Sequence, residues 1–164
     1  MVTSIKGNDT STFGGNIDVT GNVVTNAPAF SIYPNSLQSI TTLTWTKITF
    51  ATEEFDTNNN YDNSTNYRFT PTVAGYYQIS FAAYISDVGG IQNAIYKNGS
   101  AKHTGTIKVY GTTGGTGTMT SALIYMNGTT DYLEFYIWHN SGANKNVSAS
   151  QREAWATGYL ARAV

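Results

Sequence analysis

The amino-acid sequence predicts an all-β protein, a single antiparallel sandwich or jelly roll. Every second residue from Tyr77 to Ile85 is apolar, which is the period of a strand with one buried face. Turn-forming Gly, Asn and Pro recur at short intervals, and no capped segment has the 3.6-residue period of a helix. A chain of 164 residues is long enough for one domain with a sizeable core.

The strands can be placed in order along the chain from their apolar alternation and from the turns between them. Nine segments have this pattern: 29–33, 43–50, 67–70, 76–85, 91–96, 102–110, 119–126, 132–139 and 155–163. Asn98-Gly99 between two of them predicts a tight hairpin. The Asn- and Asp-rich stretch after Phe50 is predicted to be a polar loop, and Gly111–Gly117 a flexible one.

Composition and charge restrict the partners. Only 12% of the residues are charged, against about 25% in an average globular chain, so Thr, Asn, Ser and Gly are expected to cover the surface. A net charge of −1 gives no reason to expect a nucleic acid, and no apolar run approaches the about 20 residues of a membrane span. The absence of cysteine excludes disulfides. The first residues lack the apolar core of a signal peptide, so we expect release without a standard export signal, or a fragment whose signal lies elsewhere.

Catalytic and metal-binding patterns are sparse, so the sequence favours binding over catalysis. The two histidines, His103 and His139, lie on different predicted strands and are interpreted as ordinary surface or interface residues. No nucleophile elbow or phosphate loop is present. Four acids near the Asn-rich loop would suit Ca²⁺, but a solvated turn is the preferred interpretation and no cofactor is predicted; these are Glu53, Glu54, Asp56 and Asp62.

Aromatic side chains supply the candidate binding residues. In the predicted strand 132–139, one set should face the core (Leu133, Phe135 and Ile137) and the other set the opposite side (Tyr132, Glu134, Tyr136 and Trp138). The aromatic members of the second set, Tyr132, Tyr136 and Trp138, either pack between subunits or form a platform for sugar rings. In the strand 76–85, Tyr76, Ala82 and Tyr84 also lie opposite the core side, where they suit a closed threefold contact between subunits.

Several separated motifs resemble the C1q-like domain. The main signature is formed by Phe50, Asp56, Tyr61, Phe69, Gly75, Tyr77 and Phe81. Ile79 replaces the usual Phe within it, and the loop before Phe69 is one residue longer than usual. Further segments resemble the family's opening strand, its Lys-Asn-Gly hairpin, its paired late strands and its closing strand: 29–31, 96–99, 123–137 and 156–160. The resemblance covers about residues 28–164.

This resemblance implies a ten-stranded C1q/TNF-like jelly-roll sandwich that assembles as a homotrimer and binds rather than catalyses. Residues 1–27 are expected to be a separate N-terminal connector. Within them, 11–22 is similar to connector segments of bacteriophage tail fibres and other virion appendages. The alternative is that this leader is a disordered segment, and the sequence leaves both interpretations open.

The sequence therefore predicts a non-enzymatic, trimeric knob of a virion appendage. Its expected partners are itself, other virion proteins through residues 1–27, and a host-surface glycan or protein that it binds as a receptor. Two alternatives remain: a purely structural fibre or decoration protein, and a secreted C1q-like lectin or signalling module, which would be extracellular rather than part of a virion.

Overall fold

The computed structural model describes residues 26–86, 89–109 and 115–164, and these residues form two antiparallel sheets. The strands are β1 Ala29–Tyr33, β2 Gln38–Ile40, β3 Thr46–Lys47, β4 Thr52–Asp56, β5 Tyr61–Asp62, β6 Arg68–Phe69, β7 Gly75–Ile85, β8 Gly90–Lys97, β9 Ser100–Thr104, β10 Lys108–Val109, β11 Thr116–Met126, β12 Leu133–His139, β13 Lys145–Val147 and β14 Trp155–Ala163. Within the described ranges no helix is long and apolar enough to span a membrane.

Each sheet contains seven strands. The first has the order β2-β13-β7-β14-β1-β4, with β11 paired along the whole length of β7. The second has the order β10-β8-β12-β6-β5, with β3 on β12 and β9 on β8. Neighbours in space are mostly distant in sequence, as in a jelly roll; β1, for example, pairs with β14.

The core lies between the two sheets and follows the predicted alternation. On β7, the residues Tyr77, Ile79, Phe81, Ala83 and Ile85 are at most 1% exposed, and on β12 the predicted inward set is fully buried. Phe135 of β12 lies 5.2 Å from Phe81 of β7 and 5.8 Å from Phe50, measured between ring centroids. These contacts across the sheets confirm the strand period and the predicted inward sides.

The hairpin predicted at Asn98-Gly99 is confirmed. Lys97 of β8 pairs with Ser100 of β9, which leaves a two-residue loop. Asn98 has φ 52° and Gly99 φ 78°. A tight turn of this kind requires positive φ at both central residues, and Asn and Gly are the residues that adopt it at least cost.

Some strand boundaries differ from the prediction, and the described part of the chain contains fourteen strand segments where the resemblance implies ten. The predicted strand 43–50 has regular strand pairing only over β3, and its start is interrupted because Leu43 has φ 59°. Single backbone bonds to β12 flank β3, from the Leu43 N–H to the His139 carbonyl and from the Ile48 N–H to the Phe135 carbonyl. The predicted strand 102–110 divides into β9 and β10. The regular pairing of β9 with β8 ends at Thr104, and one further backbone bond follows, from the Gly105 N–H to the Asn93 carbonyl of β8 at 2.8 Å.

The prediction of a polar loop directly after Phe50 was wrong. Residues 52–56 form β4, which pairs with β1 at the edge of the first sheet. The pairing shifts register between Ser31 and Ile32, so β4 has no regular alternation of buried and exposed residues. A bulged edge strand rich in acidic residues gives little sequence signal. The other strands that the sequence did not indicate, β2, β5 and β13, contain two or three residues each.

Some predictions concern residues outside the described part of the chain. The proposed connector 1–27 lies outside it except for its last two residues, and so does most of Gly111–Gly117. The division at residue 27 therefore stays a prediction. The jelly-roll part is described from Asn26 onward, apart from residues 87–88 and 110–114.

Candidate functional site

The outer face of the second sheet has a group of aromatic rings, here called the aromatic row: Trp45, Tyr96, Tyr132, Tyr136 and Trp138. Tyr136 of β12 and Tyr96 of β8 stack with their ring centroids 4.0 Å apart and their planes at 21°. Trp45, just before β3, lies 6.3 Å from Tyr96. All five residues are half-buried, so each ring keeps some surface exposed to solvent.

Charged side chains border the aromatic row and pair within the protein. Lys47 Nζ lies 2.9 Å from Glu134 Oε1 and also donates to the Asn66 carbonyl at 2.8 Å. At the other side, the Arg68 guanidinium carbon lies 4.6 Å from the centre of the Tyr132 ring. Burial, followed by the nearby Glu134 charge, raises the pKa of the Tyr136 hydroxyl. The phenol of Tyr136 therefore stays neutral and remains available for stacking and hydrogen bonding.

The predicted ligand residues are thus brought to one side of the molecule. Tyr136 and Trp138 are the outward, half-buried residues of β12, and Tyr132 lies just before this strand at the border of the row. Sequence reasoning missed Trp45 and Tyr96, which complete the row. Tyr96 carried a usable signal, because it alternates with the buried Ile95 on a predicted strand.

The outer face of the first sheet is more exposed and lacks charge along its two longest strands. Neither β7 nor β11 contains a single Asp, Glu, Lys or Arg. Large apolar side chains on this sheet are between 41% and 55% exposed; they are Tyr76, Met119, Leu123, Tyr125 and Tyr159, here called the apolar face. Tyr76 and Tyr125 are cross-strand partners with ring centroids 5.5 Å apart. An exposed apolar surface of this kind marks an interaction site.

Neutral polar residues between the rings of the apolar face satisfy one another. Ser80 Oγ and Ser121 Oγ lie 2.9 Å apart, and Gln78 Nε2 donates to Ser121 Oγ at 2.8 Å. These three residues are uncharged. Because these side chains already hydrogen-bond to one another, burying them against another molecule costs less desolvation free energy.

The three predicted interface residues all belong to the outer side of the first sheet. Tyr76 is exposed, and Ala82 and Tyr84 are half-buried further along β7. The larger part of the apolar surface lies on β11 and β14 and was not predicted. On β11, Leu123 and Tyr125 alternate with the buried Ile124 and Met126. The apolar residues on both sides of β11 were the sequence signal for this surface.

The interpretation of His139 as a surface or interface residue was wrong. This residue is fully buried, because it is the last of the inward residues of β12. Its Nε2 lies 3.0 Å from the Ile40 carbonyl, and its Nδ1 lies 2.9 Å from Ser141 Oγ. His139 therefore joins β12 to β2 at one end of the core. His103, on β9, is half-buried.

The acidic residues near the Asn-rich loop have separate structural contacts. Asp62 accepts backbone N–H bonds from Ser64, Thr65 and Asn66 at 2.9–3.1 Å, and these bonds hold its pKa well below the usual range. Asp56 accepts the Tyr61 N–H at 2.6 Å, and Glu54 accepts the Ser31 hydroxyl at 2.9 Å. No three acids or histidines of the described residues are grouped to hold a metal ion.

Solved structures share this fold at low sequence identity. The globular domain of zebrafish complement 1qA is 19% identical, with 84% of this chain and 99% of that one covered and a TM-score of 0.64. Murine APRIL, at pH 5.0, is 11% identical, with 82% and 98% covered and a TM-score of 0.65. Vertex protein P5 of the phage PRD1 is 20% identical, with 82% and 97% covered and a TM-score of 0.60.

No protein-family model and no curated protein matches the chain. The structural similarity therefore defines a class of fold. The chain is a C1q/TNF-like jelly roll, which confirms the fold class predicted from its motifs.

Proposed function

We propose that this protein is a non-enzymatic knob of a virion appendage, which trimerises through the apolar face and attaches to the host surface through the opposite side. The observation that carries the proposal is the apolar face itself. Exposed Met119 and Leu123 on the charge-free strand β11, with the exposed Tyr159 on β14, would favour uncontrolled aggregation in a monomer. A closed assembly buries the same patch of every subunit and leaves none exposed.

If the first sheet forms the contact between subunits, the second sheet lies on the outer surface of the trimer. The aromatic row would then lie on the outside of the trimer, where Tyr136 and Trp138 can stack against sugar rings or against apolar groups of a receptor protein. Three copies at fixed spacing would strengthen a weak site by about 10²–10⁴ through avidity. A trimer therefore makes a half-buried platform with modest affinity per site useful for attachment.

The virion location rests on two similarities. The segment 11–22 is similar to connectors of phage tail fibres, and the jelly roll has the fold of a PRD1 vertex protein at 20% identity. We propose that residues 1–27 connect the knob, residues 28–164, to other virion proteins.

One observation favours a purely structural knob as the second candidate. Tyr96 and Tyr136 stack closely on each other, and Trp45 packs beside them. Rings that are already paired have less surface to offer to a ligand. In this alternative the aromatic row only stiffens the outer sheet, and the protein trimerises without binding a host molecule.

Light scattering of the purified protein and of Leu123→Glu tests the assembly. Wild type should have three times the monomer mass of 17.8 kDa. Leu123→Glu should have the monomer mass, because three buried carboxylates would repel one another without partners. Leu43→Glu is the matched control: Leu43 is also exposed, but it lies beside the second sheet, where its N–H donates to the His139 carbonyl. A monomeric wild type, or a trimeric Leu123→Glu, would contradict the proposal.

A further inference from the structure

A polar cleft lies beside the aromatic row, at the end of the second sheet where β5 pairs with β6. Its volume is about 400 Å³, and its walls include Asn60, Tyr61, Asp62, Arg68, Thr70 and Thr72. Amides, hydroxyls, one guanidinium and one carboxylate, that of Asp62, form this lining. Such a surface matches a polar ligand of small size better than an apolar one.

Two buried polar atoms of the cleft residues lack a partner among the described residues. They are Asn60 Oδ1 and the Tyr61 hydroxyl, and the two residues are only 6% and 4% exposed. Buried polar atoms are nearly always paired, so an unpaired one calls for a specific explanation. Both atoms have almost no accessible surface in the ligand-free protein, so binding requires a shift of these side chains that opens the atoms to the cleft. Asn60 Oδ1 can then accept a hydrogen bond from a sugar hydroxyl, and the Tyr61 hydroxyl can donate one to it.

Arg68 provides the positive charge of the cleft. Its guanidinium lies over the Tyr132 ring, and no carboxylate of the described residues is within 4.0 Å of its nitrogens. Asp62 is its cross-strand partner, but the Asp62 oxygens already accept bonds from the loop residues 64–66. The Arg68 side chain is therefore held in position by an aromatic ring while its N–H groups remain available. A planar guanidinium suits a carboxylate with two parallel hydrogen bonds.

We infer that this cleft binds an acidic saccharide, with the carboxylate of a uronic acid on Arg68 and ring hydroxyls on Asn60 and Tyr61. The carboxylate accounts for the unpaired cation, and the hydroxyls account for the two unpaired buried atoms. This inference goes beyond the proposed function. It requires neither the trimer nor the aromatic platform, because every residue that makes contact belongs to one stretch of one subunit, 60–72.

The test uses methyl β-glucuronide and methyl β-glucoside, which differ only in the carboxylate. Each is titrated into the ¹⁵N-labelled full chain and followed by NMR. The glucuronide should shift the amide signals of residues 59–72 and bind at least about tenfold more tightly than the glucoside, the effect of a charge-assisted pair. Arg68→Gln should abolish this preference. Arg152→Gln, the same change at an exposed arginine outside the cleft, should keep it.

Thr72→Glu provides a second variant that preserves folding. Thr72 is exposed and lines the cleft, so a carboxylate there should repel the glucuronide and leave glucoside binding unchanged. Equal affinity for the two sugars, shifts outside 59–72, or an unchanged preference in Arg68→Gln and Thr72→Glu would overturn the inference. The titration reports on binding to each subunit separately. A monomeric protein that still prefers the glucuronide would therefore contradict the proposed trimer but support saccharide binding in the cleft.

Discussion

At the scale of the residue, single carboxylates and amides determine the shape of the loops at one end of the jelly roll. Asp62 organises the residues that follow it by accepting three consecutive backbone N–H groups. Asn127 has the same role before β12, where its side-chain oxygen accepts the N–H groups of residues 129–131. Short polar side chains replace the missing backbone partners of a turn in this way.

Asp62→Asn should destabilise the fold at pH 7 by on the order of 1 kcal/mol, since exposed charge-assisted bonds compete with water. The pKa of Asp62 is lower in the folded state than its unfolded value of about 3.9. The carboxylate therefore stabilises the fold above about pH 4, and this contribution is lost as the pH falls toward the folded pKa. Urea unfolding at pH 7 and pH 2.5 should show a smaller difference between wild type and variant at the lower pH.

The control for this prediction is Glu54→Gln. Glu54 is exposed and accepts a single bond from the Ser31 hydroxyl, so its removal should shift the urea midpoint less at either pH. If the difference between Asp62→Asn and wild type were the same at both pH values, the loop would not depend on the charge of Asp62.

At the scale of the element, a glycine in β14 allows the core side chains of the two neighbouring strands to pack closely. Gly158 of β14 pairs with Phe30 of β1 on one side and with Ile79 of β7 on the other. A Cβ at this position would lie 2.6 Å from Phe30 Cε1 and 2.5 Å from Ile79 Cδ1. The glycine thus makes room for two buried side chains of the neighbouring strands.

Gly158→Ala should lower the free energy of unfolding by about 1–3 kcal/mol, because an extra methyl group in a packed core displaces its neighbours. Gly117→Ala is the matched control. A Cβ there would meet the Ala83 carbonyl only at 3.8 Å, an ordinary contact. Denaturant unfolding of both variants measures the difference. Equal denaturant midpoints for the two variants would show that the core around Phe30 accommodates the extra methyl group without loss of stability.

At the scale of the whole molecule, the two outer faces differ in exposure and in charge. The apolar face has exposed, uncharged side chains, whereas the aromatic row is half-buried and bordered by the Lys47–Glu134 pair and Arg68. This asymmetry gives the knob an inner and an outer side in the proposed trimer.

Trp138→Ala should weaken attachment if the aromatic row is the platform. Labelled wild-type protein should bind cells of the bacterium on which a phage carrying this chain grows, and should compete with infection. Trp138→Ala should lose at least about tenfold in affinity per site, since truncating a central aromatic side chain of a binding surface costs about 2 kcal/mol or more. Trp155→Ala is the matched control on the first sheet, where Trp155 pairs with Ala82.

The affinity should be measured for a single subunit, with a monovalent fragment of the surface molecule as the ligand. The result then does not depend on whether Trp155→Ala changes the trimer. Unchanged affinity of Trp138→Ala would remove this residue from the platform. Absence of both cell binding and competition by wild type would favour the purely structural knob.

The fold could be predicted from local patterns, but the two faces only in part. Alternation placed Tyr77 and Phe135 in the core, and Asn98-Gly99 located a hairpin, because burial and turn conformation depend on short-range sequence. The edge strand β4 escaped prediction because its bulge removes the alternation. The buried Asn93 also escaped it: its amide donates to the Phe81 carbonyl at 2.9 Å and accepts from Thr120 at 2.6 Å, and both partners are distant in sequence.

Strand period and turn residues indicated an antiparallel sandwich or jelly roll because both are local properties of the chain, and the resemblance of residues 50–81 to the C1q-like signature narrowed the fold class. The surfaces, in contrast, depend on how distant strands pair. Met119 and Tyr159 share one face because β11 and β14 flank β7. Arg68 and Tyr132 meet because β6 pairs with β12. Strand order in a jelly roll depends on contacts between distant segments, and no local pattern encodes them.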